Sequence, residues 1–155
     1  MVKSLEIREA RPGDEHQLAE MRALLWSSTT LSEQLEEVQA YLAGKIPGTL
    51  PCITFVAEKD QGALAGFIEV DLRSHADGCD PNLPVGYIEG WFVRELFRGR
   101  GIGKALVKTA EEWARALGSR EMASDALIDN AVSFDAHSAL GFEVVDRCVH
   151  FRKDL

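Results

Sequence analysis

The feature that most constrains the fold is a short apolar strand followed by a glycine-rich turn and an amphipathic helix. Residues 87–93 form an apolar run with one acidic residue, Glu89, inside it. Three glycines lie within residues 98–104, and apolar side chains then recur at helical spacing as far as Leu117. Glycines between a strand and a helix N-terminus expose backbone N–H groups to an anion. The pattern predicts a phosphate-binding turn in a mixed α/β domain.

Two common phosphate-binding motifs do not fit this turn. A P-loop needs glycine in place of Arg98 and serine or threonine in place of Ala105. A dinucleotide fingerprint that begins at Gly99 needs a further glycine in place of Lys104. On spacing alone, a tight turn that only requires flexible residues stays an alternative.

The rest of the chain alternates between strand-like and helix-like segments, and its 155 residues suit one domain, residues 1–155. Before the turn we expect a strand at 5–10 and then a helix whose inward side carries Leu18, Met21 and Leu25. A second helix should begin at Ser32 and end at Gly44 and Pro47. Residues 53–58 and 63–72 should form a hairpin, and residues 73–84 a loop. After the helix that follows the turn we expect a strand at 121–125, a helix at 130–140 and a strand at 144–151.

Charge and composition exclude several classes of protein. The formal net charge of -8 argues against a nucleic acid partner and favours a cationic one. No apolar run early in the chain resembles a signal sequence and no window reaches the length of a membrane span, so we expect a cytoplasmic protein without membrane contact. The three cysteines and four histidines show no metal-ligand spacing, and we expect no metal site.

The turn Arg98-x-x-Gly101-x-Gly103 resembles the pyrophosphate-binding loop of the GNAT acetyltransferase superfamily. The Leu140-Gly141-Phe142 sequence at the end of the last predicted helix resembles the family's final helix in the same way. The resemblance implies an α/β (α+β) GNAT fold: a mixed, mostly antiparallel sheet flanked by helices, with a splayed strand pair that binds acyl-CoA. It also implies transfer of an acetyl group from acetyl-CoA, the co-substrate, to a primary amine.

Within that superfamily the chain is most similar to bacterial aminoglycoside 6'-N-acetyltransferases, which are enzymes of antibiotic resistance. Trp26, residues 77–79, residues 83–93 and residues 121–125 carry this resemblance. It implies that the acceptor is the 6'-amino group of an aminoglycoside, a polycation, and that the protein is a homodimer. The acidic composition agrees in sign with such an acceptor.

The resemblance also assigns residues to the acetyl-CoA site. The pantetheine arm would lie along the backbone of Trp91, Phe92 and Val93, with Asn130 nearby. The diphosphate would rest on the turn, with Arg98 binding it or fixing the loop. The residues of the turn are Arg98, Gly99, Arg100, Gly101, Ile102, Gly103 and Lys104.

Transfer from a thioester to an amine needs a neutral amine, a donor for the oxyanion and a proton for the departing sulfur. Glu89 and Asp125 are candidates to bind the ammonium group and to accept its proton, directly or through water. The resemblance adds Asp146 as a third acidic residue for the substrate. Trp26 could stack on a sugar ring or lie in the core.

Many GNAT enzymes have a tyrosine four residues before the glycine of the Gly-Phe pair, where its hydroxyl protonates the coenzyme thiolate. This chain has His137 there, so His137 or solvent would supply the proton. Two other functions stay open at this point. One is a GNAT enzyme that acetylates a protein, peptide or polyamine amine. The other is an acyl-CoA sensor without catalysis, which the missing tyrosine would favour.

Overall fold

The computed structural model describes residues 4–45, 48 and 50–155, so Pro47, expected to help end the second helix, lies outside them. The expected order of elements is confirmed as far as residue 140. The elements are β1 (Glu6–Glu9), α1 (Glu15–Leu25), α2 (Leu31–Leu42), β2 (Cys52–Lys59), β3 (Ala63–Arg73), β4 (Val85–Val93), α3 (Ile102–Ala116), β5 (Met122–Ser124) and α4 (Ala131–Ala139).

The five strands form one sheet in the order β1-β2-β3-β4-β5. Each neighbouring pair is antiparallel except β4 and β5, which run parallel. A parallel pair needs a long crossover, and α3 supplies it between these two strands. The expected mixed, mostly antiparallel sheet is therefore confirmed.

Helices cover both faces of the sheet, and each face has its own core cluster. On one face α1 and α2 pack over Val56, Leu64 and Phe67. On the other face Leu106 and Ala110 of α3 pack over residues of β2, β3 and β4. The helical stripe read from the sequence makes this contact, because Ile102, Leu106, Ala110 and Ala114 are all buried.

The strand expected at residues 144–151 is the one element that is wrong. Residues 142–155 have no regular secondary structure. Val144, Val145, Val149 and Phe151 are all exposed, Phe151 to 93%. An alternating pattern gives a strand only where a neighbouring strand offers hydrogen bonds, and these residues have no such neighbour within the described part of their own chain.

Candidate active site

The turn between β4 and α3 presents backbone N–H groups without partners. Gly99 and Gly101 adopt positive φ angles of 71° and 80°. Gly101 is the N-cap residue of α3. In the described chain the N–H groups of residues 99–101 meet no hydrogen-bond acceptor, and the first N–H groups of a helix lack acceptors within it. The turn therefore offers a row of donors at the positive end of the α3 dipole.

Arg98 holds this turn in place. Its Nε donates to the Val93 carbonyl oxygen over 2.9 Å, and its guanidinium lies 5.6 Å from the centre of the Phe92 ring. These contacts fix the loop, and the hydrogen bond to Val93 uses only one of the three guanidinium nitrogens. Arg100 and Lys104 are exposed beside the turn.

Next to the turn, β4 and β5 separate. They pair over only three positions, with Gly86, Tyr87 and Ile88 opposite residues 122–124. From Glu89 to Val93, β4 has no strand beside it on that edge in the described chain. The free edge carries Trp91, Phe92 and Val93, the residues expected to accept a pantetheine arm. This separation is the splayed strand pair that the sequence resemblance implied.

Trp91 joins this strand edge to the start of α3. A Cβ added to Gly103 would lie 3.2 Å from the Trp91 ring, so the absence of a side chain at Gly103 lets the indole pack closely. The Trp91 Nε1 atom is buried and has no hydrogen-bond partner among the residues that the structure describes.

The opposite face of β4 carries an acidic cluster, formed by Asp71, Glu89 and Asp125. Tyr87 pairs with Asp71, and Glu89 lies two residues farther along β4 on the same side. A register shift between Glu69 and Val70 leaves Glu89 as an extra, unpaired residue of β4. Burial, followed by the nearby Glu89 charge, raises the pKa of Asp71. The interrupting acid of the apolar run thus lies in a bulge beside a second carboxylate.

Two residues that the sequence analysis did not single out organise this cluster. The Tyr87 hydroxyl donates to Asp125 over 2.8 Å. Arg73 donates to Glu89 from Nη2 over 2.5 Å and from Nε over 3.0 Å, and it lies 3.4 Å from the centre of the Tyr87 ring. Burial and the contact with Asp125 raise the pKa of Tyr87 well above its ordinary value. Tyr87 therefore stays neutral and acts as a donor.

Trp26 forms a wall of the same region. Its ring stands edge-on to Phe67 at 6.4 Å, and a Cβ on Gly90 would lie 2.8 Å from it. Arg22 lies 4.7 Å from the centre of the ring. Trp26 is half-buried, so one part of the ring packs on the core and another part faces solvent near the acidic cluster.

His137 lies on the other face of the sheet, in a hydrogen-bonded chain with Ser124. His137 Nδ1 is 2.7 Å from the Ser133 carbonyl oxygen, which can only accept, so this nitrogen carries a proton. In the neutral ring Nε2 then accepts from the Ser124 hydroxyl, 2.7 Å away. The ring packs edge-on against Trp91 at 5.3 Å and Phe142 at 5.2 Å. It is therefore oriented beside the edge where β4 and β5 separate.

The remaining predicted residues lie farther from these groups in the fold. Asn130 caps α4, and its side chain accepts from the Ser133 N–H over 3.1 Å. Asp146 lies in the exposed C-terminal segment, where its carboxylate accepts from the Arg147 N–H. The structure of the single chain does not bring Asp146 to the acidic cluster.

Cysteine and metal chemistry find little support in the structure. Burial raises the pKa of the Cys79 thiol, and the nearby charges of Glu121 and Asp77 raise it further, which makes the thiol a poor nucleophile.

Across residues 4–45, 48 and 50–155 there is no cluster of three metal-binding side chains. Within the same ranges no helix has the length and apolar character needed to cross a membrane.

The residues that the sequence analysis missed are those whose role depends on pairing. Asp71 faces Tyr87 across β3 and β4, and Ser124 faces Ile88 across β4 and β5. The alternation within β3 and the bulge in β4 decide which of these side chains share a face. These residues could have been recognised from the sequence only if the strand register had been known.

Comparison with known proteins adds independent evidence. Residues 18–142 match the model of the acetyltransferase (GNAT) family. An aminoglycoside N(6')-acetyltransferase type 1 from Klebsiella aerogenes is 37% identical over 155 residues, which cover all of both chains. One of the same description from Stenotrophomonas maltophilia is 37% identical over 96% of this chain and 93% of its own.

Solved structures agree with these relatives. An aminoglycoside N-acetyltransferase, AAC(6')-Iy, in complex with CoA superposes with a TM-score of 0.87 at 31% identity, and the match covers 100% of this chain and 98% of that one. AAC(6')-Iy with the bisubstrate analogue CoA-S-monomethyl-acetylneamine gives a TM-score of 0.83 at 31% identity, over 98% and 99% of the two chains.

Proposed function

This chain belongs to the acetyltransferase (GNAT) family, and we propose that it transfers an acetyl group from acetyl-CoA to the 6'-amino group of an aminoglycoside. The observation that carries the proposal is the position of β4 between two different sites. One edge of β4 is free beside a turn of unpaired N–H groups. One face of the same strand carries the acidic cluster. A thioester along the edge and a polycation on the face would meet at residues 89–91.

The residues beside the free edge fit acetyl-CoA. A diphosphate needs several N–H donors and positive potential, and the turn at residues 99–104 at the start of α3 supplies both. A pantetheine arm carries amide groups that pair with a free strand edge, here Trp91 to Val93.

The acidic cluster fits an aminoglycoside, which carries several ammonium groups. Glu89 and Asp125 would bind these groups, and the half-buried Trp26 would contact a sugar ring. For attack, the amine must lose a proton, and Glu89 or Asp125 would accept it through water. A backbone N–H of the free β4 edge would stabilise the oxyanion. Direct attack in a ternary complex requires no acyl-enzyme.

The thiolate that leaves needs a proton, and His137 with Ser124 is the candidate source. Protonated at both nitrogens, His137 would donate from Nε2 to Ser124, whose hydroxyl would donate to sulfur. The bond from Nδ1 to the Ser133 carbonyl keeps the ring aligned for this transfer. The proton chain would then be restored from solvent.

Replacing Ser124 by alanine should lower kcat by about tenfold to a hundredfold, because the relay loses its last donor. Ser124→Thr keeps a hydroxyl and should recover most of the rate. Steady-state kinetics with the affinity for acetyl-CoA measured by calorimetry would check this. A Ser124→Ala enzyme with the full rate would assign the proton to solvent.

The C-terminal segment supports a homodimer. Exposed apolar side chains concentrate in α4, its preceding loop and this segment, including Leu127, Ile128, Val132 and Phe151. So many exposed apolar side chains within one part of the sequence are unusual on a monomer. We propose that a second copy of the chain covers these apolar side chains. Residues 144–151 would then pair with a strand of the second copy. Asp146 would meet a substrate across the same interface.

Removing residues 143–155 should convert the dimer into a monomer, because the segment carries much of the proposed interface. Light scattering during size-exclusion chromatography measures the mass directly. A single substitution of a polar residue in the same segment, Arg152→Ala, serves as the control. Its mass should stay at twice that of the chain. A monomeric full-length protein at micromolar concentration would contradict the proposal.

A thiol-release assay tests the function itself. Purified protein with acetyl-CoA should release free CoA with aminoglycosides, and the product should carry the acetyl group at the 6' position. Release only with peptides or polyamines would assign a different acceptor. Coenzyme binding with no release for any amine would assign an acyl-CoA sensor.

Acetylation of the 6'-amine removes one positive charge from the drug. Expression of the protein in the cytoplasm, where acetyl-CoA is made, should therefore raise aminoglycoside resistance.

A further inference from the structure

Arg73 occupies the part of the acidic cluster where an ammonium group would bind. Two of its nitrogens donate to one Glu89 oxygen over 2.5 and 3.0 Å, and its guanidinium lies 3.4 Å from the centre of the Tyr87 ring. A carboxylate beside an aromatic face is a general arrangement for binding organic cations. Arg73, a cation of the protein itself, therefore occupies this position between Glu89 and the Tyr87 ring.

Electrostatics explains why a cation is needed in the empty cleft. Asp71, Glu89 and Asp125 lie close together, and burial together with the Glu89 charge opposes ionisation of Asp71. The positive charge of Arg73 counteracts this repulsion at both Asp71 and Glu89. Removing it would leave the cluster more negative and more attractive to any other cation.

The side chain of Arg73 has room to leave. Arg73 is the last residue of β3, and the loop of residues 74–84 follows it. Its side chain is 43% exposed, against 28% for Glu89. Ion pairs with this much solvent contact are weak, so exchange of one cation for another at Glu89 requires little rearrangement of the strand.

We propose that Arg73 is an internal competitor for the acceptor: it holds Glu89 while the cleft is empty, and an ammonium group of the acceptor replaces it. The inference rests on the proposed function, since it assumes that a cationic amine enters this cleft. Because each cationic acceptor displaces the same side chain from Glu89, Arg73 lowers the apparent affinity for all of them.

Kinetics of Arg73→Ala tests this inference with two probes. We expect the KM for neamine and the KM for the monoamine 6-amino-6-deoxyglucose both to fall about threefold, because each acceptor displaces the same weakly paired cation. Arg73→Lys keeps a cation without the planar guanidinium and should give an intermediate KM. Unchanged affinity for acetyl-CoA shows that the variant is folded.

Two further variants make the result specific. Arg115→Ala changes the net charge equally on the exposed side of α3, where Arg115 pairs with Glu111, and the KM values should stay within twofold of the wild type. In the Glu89→Gln background the Arg73→Ala change should no longer lower the KM, because the competition takes place at Glu89.

The opposite results overturn the inference. A higher KM for neamine in Arg73→Ala would show that Arg73 holds Glu89 in its productive position, and an unchanged KM would show that the two cations bind independently. If the wild type releases no CoA with any aminoglycoside, the proposed function fails separately. Calorimetric titration with neamine then decides the inference: tighter binding to Arg73→Ala supports it, and equal or weaker binding overturns it.

Discussion

Replacing Gly101 by valine is expected to weaken acetyl-CoA binding by about a hundredfold, because the turn loses both its backbone conformation and its donors. Gly101 has a φ of 80°, and a β-branched residue there is strained by about 1–2 kcal/mol or shifts to negative φ. No atom lies within 4 Å of a Cβ at this position, so the effect comes from the backbone and from blocked access, not from a clash. Isothermal titration calorimetry with acetyl-CoA measures the change.

Gly118→Val is the matched control for this experiment. Gly118 follows the opposite end of α3, has a φ of 93° and also has no atom within 4 Å of a Cβ. Its substitution imposes a similar backbone strain without touching the turn. Both substitutions should lower the Tm, whereas only the substitution at Gly101 should weaken coenzyme binding. Equal loss of affinity in the two variants would mean that the turn is structural.

Replacing Glu89 by glutamine is expected to lower kcat/KM for the acceptor by about a hundredfold to a thousandfold. The substitution keeps the size of the side chain and removes the charge that the β4 bulge directs toward Arg73 and Asp71. The acceptor loses an ion pair, and its amine loses a nearby proton acceptor. Steady-state kinetics at saturating acetyl-CoA gives the effect.

The affinity of Glu89→Gln for acetyl-CoA should stay within about twofold, because the proposed coenzyme site is the edge of β4 and not its acidic face. Glu112→Gln, on an exposed position of α3, removes the same charge elsewhere and should leave kcat/KM unchanged. A fall in coenzyme affinity as large as the fall in kcat/KM would show that Glu89 supports the strand and takes no part in acceptor chemistry.

The first of these predictions concerns the turn that follows β4, and the second concerns β4 itself. In the proposed arrangement the two substrates of a small domain bind at neighbouring parts of this one strand. β4 pairs fully with β3 but only briefly with β5, so its remaining edge is available to an extended ligand. Its bulge at Glu89 changes which side chains face the acidic cluster. Under the proposed function, the edge and the face of this strand would bind two ligands of opposite charge.

The geometry of the turn between β4 and α3 could be predicted from sequence because its requirements are local. Positive φ at Gly99 and Gly101, unpaired N–H groups and the helix that follows all depend on residues within a few positions of one another. The amphipathic stripe of α3 is local in the same sense, since Ile102, Leu106 and Ala110 recur at the helical period.

The acceptor side was less predictable because it depends on register. Glu89 was recognisable as an acid within an apolar run, but Arg73 and Tyr87 meet it through the pairing of β3 with β4. Ser124 joins His137 through the pairing of β4 with β5 and the docking of α4. A shift of one residue in either ladder would turn these side chains to the opposite face.

The sequence by itself determined the order of strands and helices through residue 140, the glycine-rich turn before α3 and the acidic residue inside β4, because each follows from neighbouring residues and from backbone sterics. The tertiary structure decided which charges share the cleft, that Arg73 holds Glu89, that Ser124 and His137 form a hydrogen-bonded pair, and that residues 144–151 form no strand within their own chain. These outcomes depend on hydrogen bonds between distant segments, and the pattern of a single segment carries no information about its partner.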